Sequence, residues 1–188
     1  MKSKYEIRFF WPSSRGLERD DVYHRFFRQC EEEHKVEKDI YIISGNKYNI
    51  KIRENELHVK EFIENIKLIS HFKQKKRLEF PLKSKKLEKL LGVNLFPEAL
   101  LCDTPAELIE KLSTCSQARY VEVVKERCVR KLPEQAKIEI ARIKLRGQEF
   151  TTLCIESKSL DTVLALSLLV PQRGAECLNY NEFLRKYG

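Results

Sequence analysis

Long apolar runs, paired cysteines and glycine-rich loops are all missing from this 188-residue sequence. Its longest apolar run, Val163 to Pro171, is interrupted by Ser167 and reaches about half the length that a membrane-spanning helix needs. The first residues, Met1 to Arg8, do not show the basic, apolar and small-residue order of a signal peptide. These absences predict a cytoplasmic protein that has no membrane partner.

Six cysteines are scattered along the chain, and none belongs to a CxxC pair. Zinc ligands usually come in pairs at short spacing, so a structural zinc site is not expected. A disulfide framework is typical of secreted proteins, so the sequence predicts reduced thiols at all six positions. These are Cys30, Cys102, Cys115, Cys128, Cys154 and Cys177.

Basic residues outnumber acidic ones: 36 Lys and Arg stand against 28 Asp and Glu, which gives a net charge of +8. That excess favours anionic partners such as a nucleotide, a polyphosphate or nucleic acid. The chain length and its 42% hydrophobic residues fit a single folded domain over residues 1–188.

Short strand-like segments joined by brief turns dominate the chain. Turns at Glu54-Asn55 and Glu64-Asn65 are too short for parallel crossovers, so neighbouring strands must be antiparallel. Eight strands can close into a barrel that has no exposed edge. The predicted strands are 4–11, 39–44, 47–53, 56–63, 66–82, 119–131, 136–146 and 149–157.

Helical spacing appears in four parts of the sequence. It predicts a helix over Leu17–His34, an excursion of two short helices within 83–118, a helix over 160–169 and a last helix capped by Asn179. The fold class expected is therefore α+β: an eight-stranded antiparallel β-barrel, or tunnel, with peripheral helices.

Most predicted strands have one apolar and one charged face, because side chains alternate along a strand. Two interpretations remain open. The apolar faces could form the core while charges meet solvent, or they could lie outward beneath the helices while charges line the barrel. In the strand from Ala136 the apolar phase changes, which predicts a β-bulge near Ala141.

Charged motifs follow one another in a fixed order on these strands. Glu6 and Arg8 share a face of the first strand, and the last helix begins with Asn179-Tyr180. Between them lie Lys51-Ile52-Arg53, Val59-Lys60, Arg77-Leu78-Glu79, Lys125-Glu126-Arg127 and Cys154-Ile155-Glu156. This ordered set resembles the CYTH superfamily, the triphosphate tunnel metalloenzymes, over almost the whole chain.

The resemblance implies a charged barrel interior that holds a triphosphate with basic side chains and Mg²⁺ or Mn²⁺ with carboxylates. It implies phosphate binding by seven residues: Lys51, Arg53, Lys60, Arg77, Lys125, Arg127 and Arg142. It implies metal binding by Glu6, Glu79 and Glu156, with Glu139 as a further interior carboxylate. No catalytic residue is assigned.

Three positions depart from the family pattern. Arg8 stands where the family has a second Glu, and Phe10 stands where it has a Lys. Cys154, or Thr152 if the register differs, replaces the first Glu of the late pair. Because Arg8 should repel a metal and pair with Glu6, Glu156 or the anion, we expect triphosphate binding with weak, metal-poor hydrolysis or none. Neighbouring cations also leave a reactive Cys154 thiol as an alternative.

Three functions are compatible with these residues. The first is a divergent phosphohydrolase or nucleotidyl cyclase that acts on a nucleoside triphosphate, inorganic triphosphate or RNA 5′ end. The second is a non-catalytic module that binds such a phosphate, a nucleotide or nucleic acid in the same tunnel. The third is a basic domain that binds nucleic acid through the outer run Lys73–Arg77.

Overall fold

The computed structural model of the chain describes residues 3–12, 33–45, 47–96, 101–133 and 135–188, apart from the side chains of residues 33, 34 and 74–76. Within these ranges the chain forms eleven strands and four helices. The strands are β1 (Ser3–Pro12), β2 (Glu33–Ser44), β3 (Tyr48–Arg53), β4 (Glu56–Ile66), β5 (Ile69–Glu79), β6 (Leu82–Lys83), β7 (Leu101–Cys102), β8 (Ala118–Lys131), β9 (Lys137–Leu145), β10 (Gln148–Ser157) and β11 (Glu176–Cys177). The helices are α1 (Ser84–Leu91), α2 (Pro105–Ser113), α3 (Leu160–Ser167) and α4 (Tyr180–Tyr187).

The eight long strands close into an antiparallel barrel, as the sequence predicts. Their order is β10-β9-β8-β2-β3-β4-β5-β1, and β1 pairs again with β10 to complete the ring. The short β11 adds to the end of β1, while β6 and β7 form a separate two-stranded ribbon. The two helices expected within 83–118 are present as α1 and α2, on either side of β7.

Several predicted boundaries are corrected by the structure. The strand β2 starts at Glu33, so the last residues of the predicted helix Leu17–His34 are extended, and the rest of that prediction lies outside the described residues. The turn at Glu54-Asn55 is confirmed by positive φ angles of 50° and 62°. The turn expected at residues 64–65 is wrong, because a register shift between Phe62 and Glu64 lets β4 continue to Ile66.

The apolar strand faces lie outward beneath the helices. Ile50 and Ile52 pack with Leu87 of α1 and Leu108 of α2 in one cluster. On the other side, Ile7, Phe9 and Trp11 pack with Val163 of α3 in a second cluster. Each fully buried aliphatic or aromatic side chain contributes about 1.5–3 kcal/mol to folding. Because the apolar strand faces are buried beneath the helices, the charged faces point into the barrel. This is the second of the two interpretations that the strand pattern allows.

One end of the barrel is filled by the helix α4. A capping box between Asn179 and Glu182 starts this helix, which then directs Tyr180, Phe183 and Leu184 into a buried cluster with inward residues of the strands. The Phe183 ring stacks on Phe10 at 3.9 Å between centroids. The interior is therefore closed at this end by apolar packing.

Two further expectations concern the membrane and the thiols. Within the described parts of the chain, no helix combines the length and apolarity needed to cross a membrane. Cys102, Cys115, Cys154 and Cys177 carry free thiols, as predicted for these four positions.

Candidate anion-binding site

A polar cavity of about 330 Å³ occupies the part of the barrel that α4 does not fill. Nine Lys or Arg side chains line it, against three Glu. The cations are Lys4, Arg8, Lys51, Arg53, Lys60, Arg77, Lys125, Arg127 and Lys137, and the carboxylates are Glu6, Glu139 and Glu156. The cavity therefore has a large excess of positive charge along its walls.

Eight of the ten residues assigned from the family resemblance reach this cavity. Alternation places them there: Lys51 and Arg53 point inward from β3 while Ile50 and Ile52 point outward. The eight are Lys51, Arg53, Lys60, Arg77, Lys125, Arg127, Glu6 and Glu156.

Arg142 and Glu79 are the two assigned residues that the structure places elsewhere. The pairing of β9 with β8 and β10 runs without a register shift, so the bulge predicted near Ala141 is absent from this described strand. Regular alternation then turns Arg142 outward, where its side chain is 46% exposed and lies 4.0 Å from Glu126. Glu79 is the exposed last residue of β5 and does not line the cavity.

Several lining residues were passed over in the sequence, although alternation could have revealed some of them. Lys4 precedes Glu6 by two positions on β1, and Lys137 precedes Glu139 by two on β9, so each pair shares a face. Tyr180 lies on α4 and follows no strand period. Its place in the cavity depends on how that helix enters the barrel.

Asp39 points inward from β2 and, without lining the cavity, binds three of its cations. It is fully buried and accepts hydrogen bonds from Arg53 at 2.6 and 2.8 Å and from Lys51 at 3.1 Å, while the Lys125 ammonium lies 2.6 Å away. Although burial opposes it, bonding to Arg53 and the charge of Lys125 hold the pKa of Asp39 far below its usual value.

A second carboxylate, Glu37, pairs with Arg53 at 2.5 Å and with Arg127 at 2.5 Å, so two carboxylates on β2 face four cations of β3 and β8. Burial, the charge of Lys125 and the charge of Arg53 lower the pKa of Lys51 to about 7, against the pull of Asp39. Burial also lowers the pKa of Lys125, in spite of Asp39 and Glu139. This wall of β2, β3 and β8 therefore holds uncompensated positive charge.

The Arg8 guanidinium lies at the inner part of the opposite wall. Its Nε lies 3.3 Å from Glu6 and its Nη1 lies 3.3 Å from Glu139, which confirms the expectation that Arg8 pairs with Glu6. Burial would raise the pKa of Glu6, but the charges of Lys60 and Arg8 outweigh it and lower that pKa to about 2. Both carboxylates are therefore ionised and paired near neutral pH.

Exposure distinguishes a floor from a mouth in this cavity. The side chains of Arg8 and Lys125 are 8% and 4% exposed, and both lie over the Tyr180 ring. By contrast, the side chains of Lys60 and Arg77 are 40% and 67% exposed. The floor therefore lies against α4, and an anion would enter from the opposite end.

The donor set does not fit a catalytic Mg²⁺ or Mn²⁺ ion. Lys60 lies 3.1 Å from Glu6 and 3.3 Å from Glu156, and Lys4 forms a further ion pair with Glu156. Divalent cations of this kind need several carboxylate oxygens with no competing cation. In the described residues no group of three or more His, Cys, Asp or Glu side chains could hold a metal ion.

The register around Cys154 is settled by pairing. Cys154 lies opposite Arg8 and Thr152 lies opposite Phe10 across β1 and β10, and both are buried. Burial raises the pKa of the Cys154 thiol well above its usual value, and the opposing effect of Arg8 does not overcome it. The thiol therefore stays protonated, and the reactive-thiol alternative finds no support.

Known proteins give the fold a context. No protein-family model and no curated protein matches the sequence. Among solved structures, an adenylyl cyclase candidate from Hippeastrum with a dominant triphosphatase activity is similar over 96% of this chain and 93% of its own, at a TM-score of 0.52 and 13% identity. An adenylate cyclase candidate from Bacillus halodurans matches over 100% of both chains, at a TM-score of 0.53 and 15% identity.

A third similar structure is a protein from Pyrococcus horikoshii, with a TM-score of 0.50 and 17% identity over 96% of this chain and 98% of that one. Identities this low establish a shared fold and do not establish a shared substrate. Together with the closed barrel and its inward charges, these neighbours show that the chain shares their fold, which is the fold that the resemblance to the triphosphate tunnel superfamily predicts.

Proposed function

We propose that the chain binds a triphosphate-bearing anion inside the barrel: a nucleoside triphosphate, inorganic triphosphate or the 5′ end of an RNA. The observation that carries this proposal is the charge of the cavity: nine cationic side chains line it against three lining carboxylates, and two more carboxylates, Asp39 and Glu37, pair with four of those cations. Buried cations without enough counter-charge are costly for a folded protein. A polyanion that enters the cavity supplies the missing negative charge.

The binding set proposed from the geometry is Lys51, Arg53, Lys60, Arg77, Lys125 and Arg127. Each hydrogen bond from such a group to a phosphate oxygen contributes about 1.5–3 kcal/mol. Arg142 and Glu79 do not belong to this set, because neither side chain lines the cavity. A volume of about 330 Å³ lies at the lower end for ligand pockets, so a phosphate chain fits inside while a nucleoside or RNA chain remains at the mouth.

Metal-dependent phosphate release is the second candidate activity. It is favoured by the Hippeastrum neighbour, whose dominant activity is that of a triphosphatase. The paired carboxylates of this chain argue against it, because Glu6 and Glu156 are occupied by Lys60, Arg8 and Lys4. We therefore favour binding without metal-dependent turnover.

Nucleic-acid binding through the outer run Lys73–Arg77 has less support. The side chains of residues 74–76 lie outside the described residues, and Arg77 lines the mouth of the cavity. An RNA whose 5′ triphosphate lies in the cavity would contact Arg77 at the mouth. RNA is therefore included in this proposal only as a carrier of the 5′ triphosphate.

Calorimetric titration tests the proposal. We expect inorganic triphosphate, ATP and GTP to bind at low salt, and inorganic phosphate to bind much more weakly because it carries fewer charges. Phosphate release is followed in parallel, with and without Mg²⁺ or Mn²⁺. If no triphosphate binds at low salt, the interior cations have a structural role only. Brisk metal-dependent release would instead support the enzyme.

A further inference from the structure

The floor of the cavity contains a hydroxyl group that lacks a well-formed hydrogen bond. The Tyr180 side chain is 4% exposed, and among the described residues its hydroxyl makes no hydrogen bond of normal geometry, with only a weak interaction with the Tyr41 side chain. The same side chain lines the cavity. A buried hydroxyl without a well-formed hydrogen bond is unfavourable in a folded protein, so the position needs an explanation other than packing.

Arg8 lies directly beside this hydroxyl-bearing ring. Its guanidinium carbon is 4.9 Å from the centre of the Tyr180 ring, and the Lys125 ammonium is 4.6 Å from the same centre. Two cations and one O–H donor therefore meet at the innermost part of the cavity. Such a group of donors suits a phosphate group, which offers several acceptor oxygens.

The bonds that hold Arg8 are long for ion pairs. Its nitrogens lie 3.3 Å from Glu6, 3.3 and 3.4 Å from Glu139 and 3.5 Å from the Thr152 hydroxyl. Charge-assisted hydrogen bonds of this type are usually about 2.7–2.9 Å long. The guanidinium is thus positioned by these groups without being saturated by them.

We propose that Arg8 and the Tyr180 hydroxyl bind the innermost phosphate group of the ligand, and that this binding needs no divalent metal. The inference rests on the proposed function. It adds a subsite for the innermost phosphate group and the expectation that the ligand binds without a divalent metal. Arg8 supplies a fixed positive charge at the floor, and the nearby carboxylates are already paired with cations. A metal ion that arrives on the ligand would be repelled by Arg8 and would occupy oxygens that Arg8 and Tyr180 need.

The effect of Mg²⁺ on the unmodified protein tests this directly. Inorganic triphosphate is titrated by calorimetry in EDTA and then in MgCl₂, with ionic strength held equal by KCl. We expect Mg²⁺ to raise the Kd about tenfold, because it removes at least one charge-assisted contact. Binding that appears only with Mg²⁺ would overturn the metal independence and leave the proposed function intact. No binding in either buffer would overturn the proposed function itself.

Tyr180→Phe tests the subsite, because it removes one oxygen atom and preserves the ring. We expect this variant to bind inorganic triphosphate about tenfold more weakly in EDTA, with a Tm equal to or above that of the unmodified protein. Tyr120→Phe is the matched control: Tyr120 packs against the outer cluster and does not line the cavity. Unchanged affinity in Tyr180→Phe would show that the hydroxyl does not contact the ligand.

Arg8→Gln and Arg142→Gln form a second pair that removes one guanidinium inside and one outside the barrel. We expect the first to bind inorganic triphosphate about tenfold or more weakly and the second to bind as the unmodified protein does. Arg8→Gln could fail to fold, because Glu6 and Glu139 would lose a partner. In that case Arg8→Lys replaces it in the titration, since Lys keeps the positive charge and lacks the planar guanidinium group. Full affinity in a folded Arg8→Gln variant would overturn the assignment of Arg8.

Discussion

The two halves of the barrel interior are built from the same strands and differ in chemistry. Along β1 the inward residues change from Glu6 and Arg8 to Phe10, and along β9 they change from Glu139 to Ile143 and Leu145. The same change occurs along β8, from Arg127 and Lys125 to Val123 and Val121, and along β2, from Asp39 to Tyr41 and Ile43. All four strands change character at the level where α4 enters.

The apolar half supplies stability and the charged half supplies the site. Phe10, Phe150 and Phe183 are almost fully buried, and burial of this kind is the dominant favourable term in folding. The charged half loses solvation instead, as the lowered pKa values of the buried Lys51 and Lys125 show. Among the described residues the two halves lie end to end, so that the apolar half closes the cavity against α4. Substitutions in the two halves should therefore affect different properties.

The largest effect is expected in the apolar half. Phe183→Ala removes the ring that stacks on Phe10 and contacts Phe150. The loss of burial and the cavity left behind should lower the free energy of unfolding by about 4 kcal/mol, measured by chemical denaturation. Leu168→Ala, at an exposed position, should change it little. If the folded Phe183→Ala protein no longer binds inorganic triphosphate, the two halves are not independent.

Next in size is the loss of a buried carboxylate in the charged half. Asp39→Asn leaves Arg53, Lys51 and Lys125 without their shared partner, which should lower the free energy of unfolding by about 3 kcal/mol at pH 7. Because these cations are then more available, inorganic triphosphate should raise the Tm of the variant more than that of the unmodified protein. An equal increase in Tm in both proteins would show that these cations do not contact the ligand. Asp103→Asn, at an exposed position, is the control.

A smaller effect is expected on binding alone. Lys125→Ala removes one cation from the cavity floor and should weaken inorganic triphosphate binding about tenfold or more, as read from calorimetry. Lys144→Ala makes the same substitution on the exposed outer side of β9, where Lys144 pairs with Glu149. Its Kd should match that of the unmodified protein. Equal weakening by both variants would point to a general charge effect.

The smallest effect concerns pH. Because the pKa of Lys51 is lowered to about 7, this ammonium is mostly neutral at pH 8.5 in the free protein and must take up a proton when an anion binds beside it. Affinity for inorganic triphosphate should therefore fall as pH rises above 7, by at most about tenfold per pH unit for one proton. The ligand cannot cause such a fall, because inorganic triphosphate gains negative charge as pH rises and would then bind a cationic site more tightly. Lys51→Arg stays charged throughout and should flatten the profile. A profile that stays just as steep in Lys51→Arg would exclude Lys51 as the source.

Much of the fold was predictable because strand and turn signals are local. Alternation over β3 gave the right faces for Ile50 and Lys51, and Asn179 and Glu182 form the cap that their spacing indicates. Arg142 was misplaced for an instructive reason. The change of apolar phase at Ile143 predicts a bulge, whereas the strand is regular and the interior itself becomes apolar there.

The sequence by itself determined the strands, their antiparallel order and the two-faced pattern, since these depend on residues that are neighbours along the chain. It could not determine which face points inward, because alternation is identical for a charged core and a charged surface. That choice depends on α1, α2 and α3 covering the outer faces. The ion pairs likewise join distant strands, as Arg8 does with Glu139. Only the tertiary structure brings Arg8, Lys125 and Tyr180 to one floor, because no local signal sets where α4 closes the barrel.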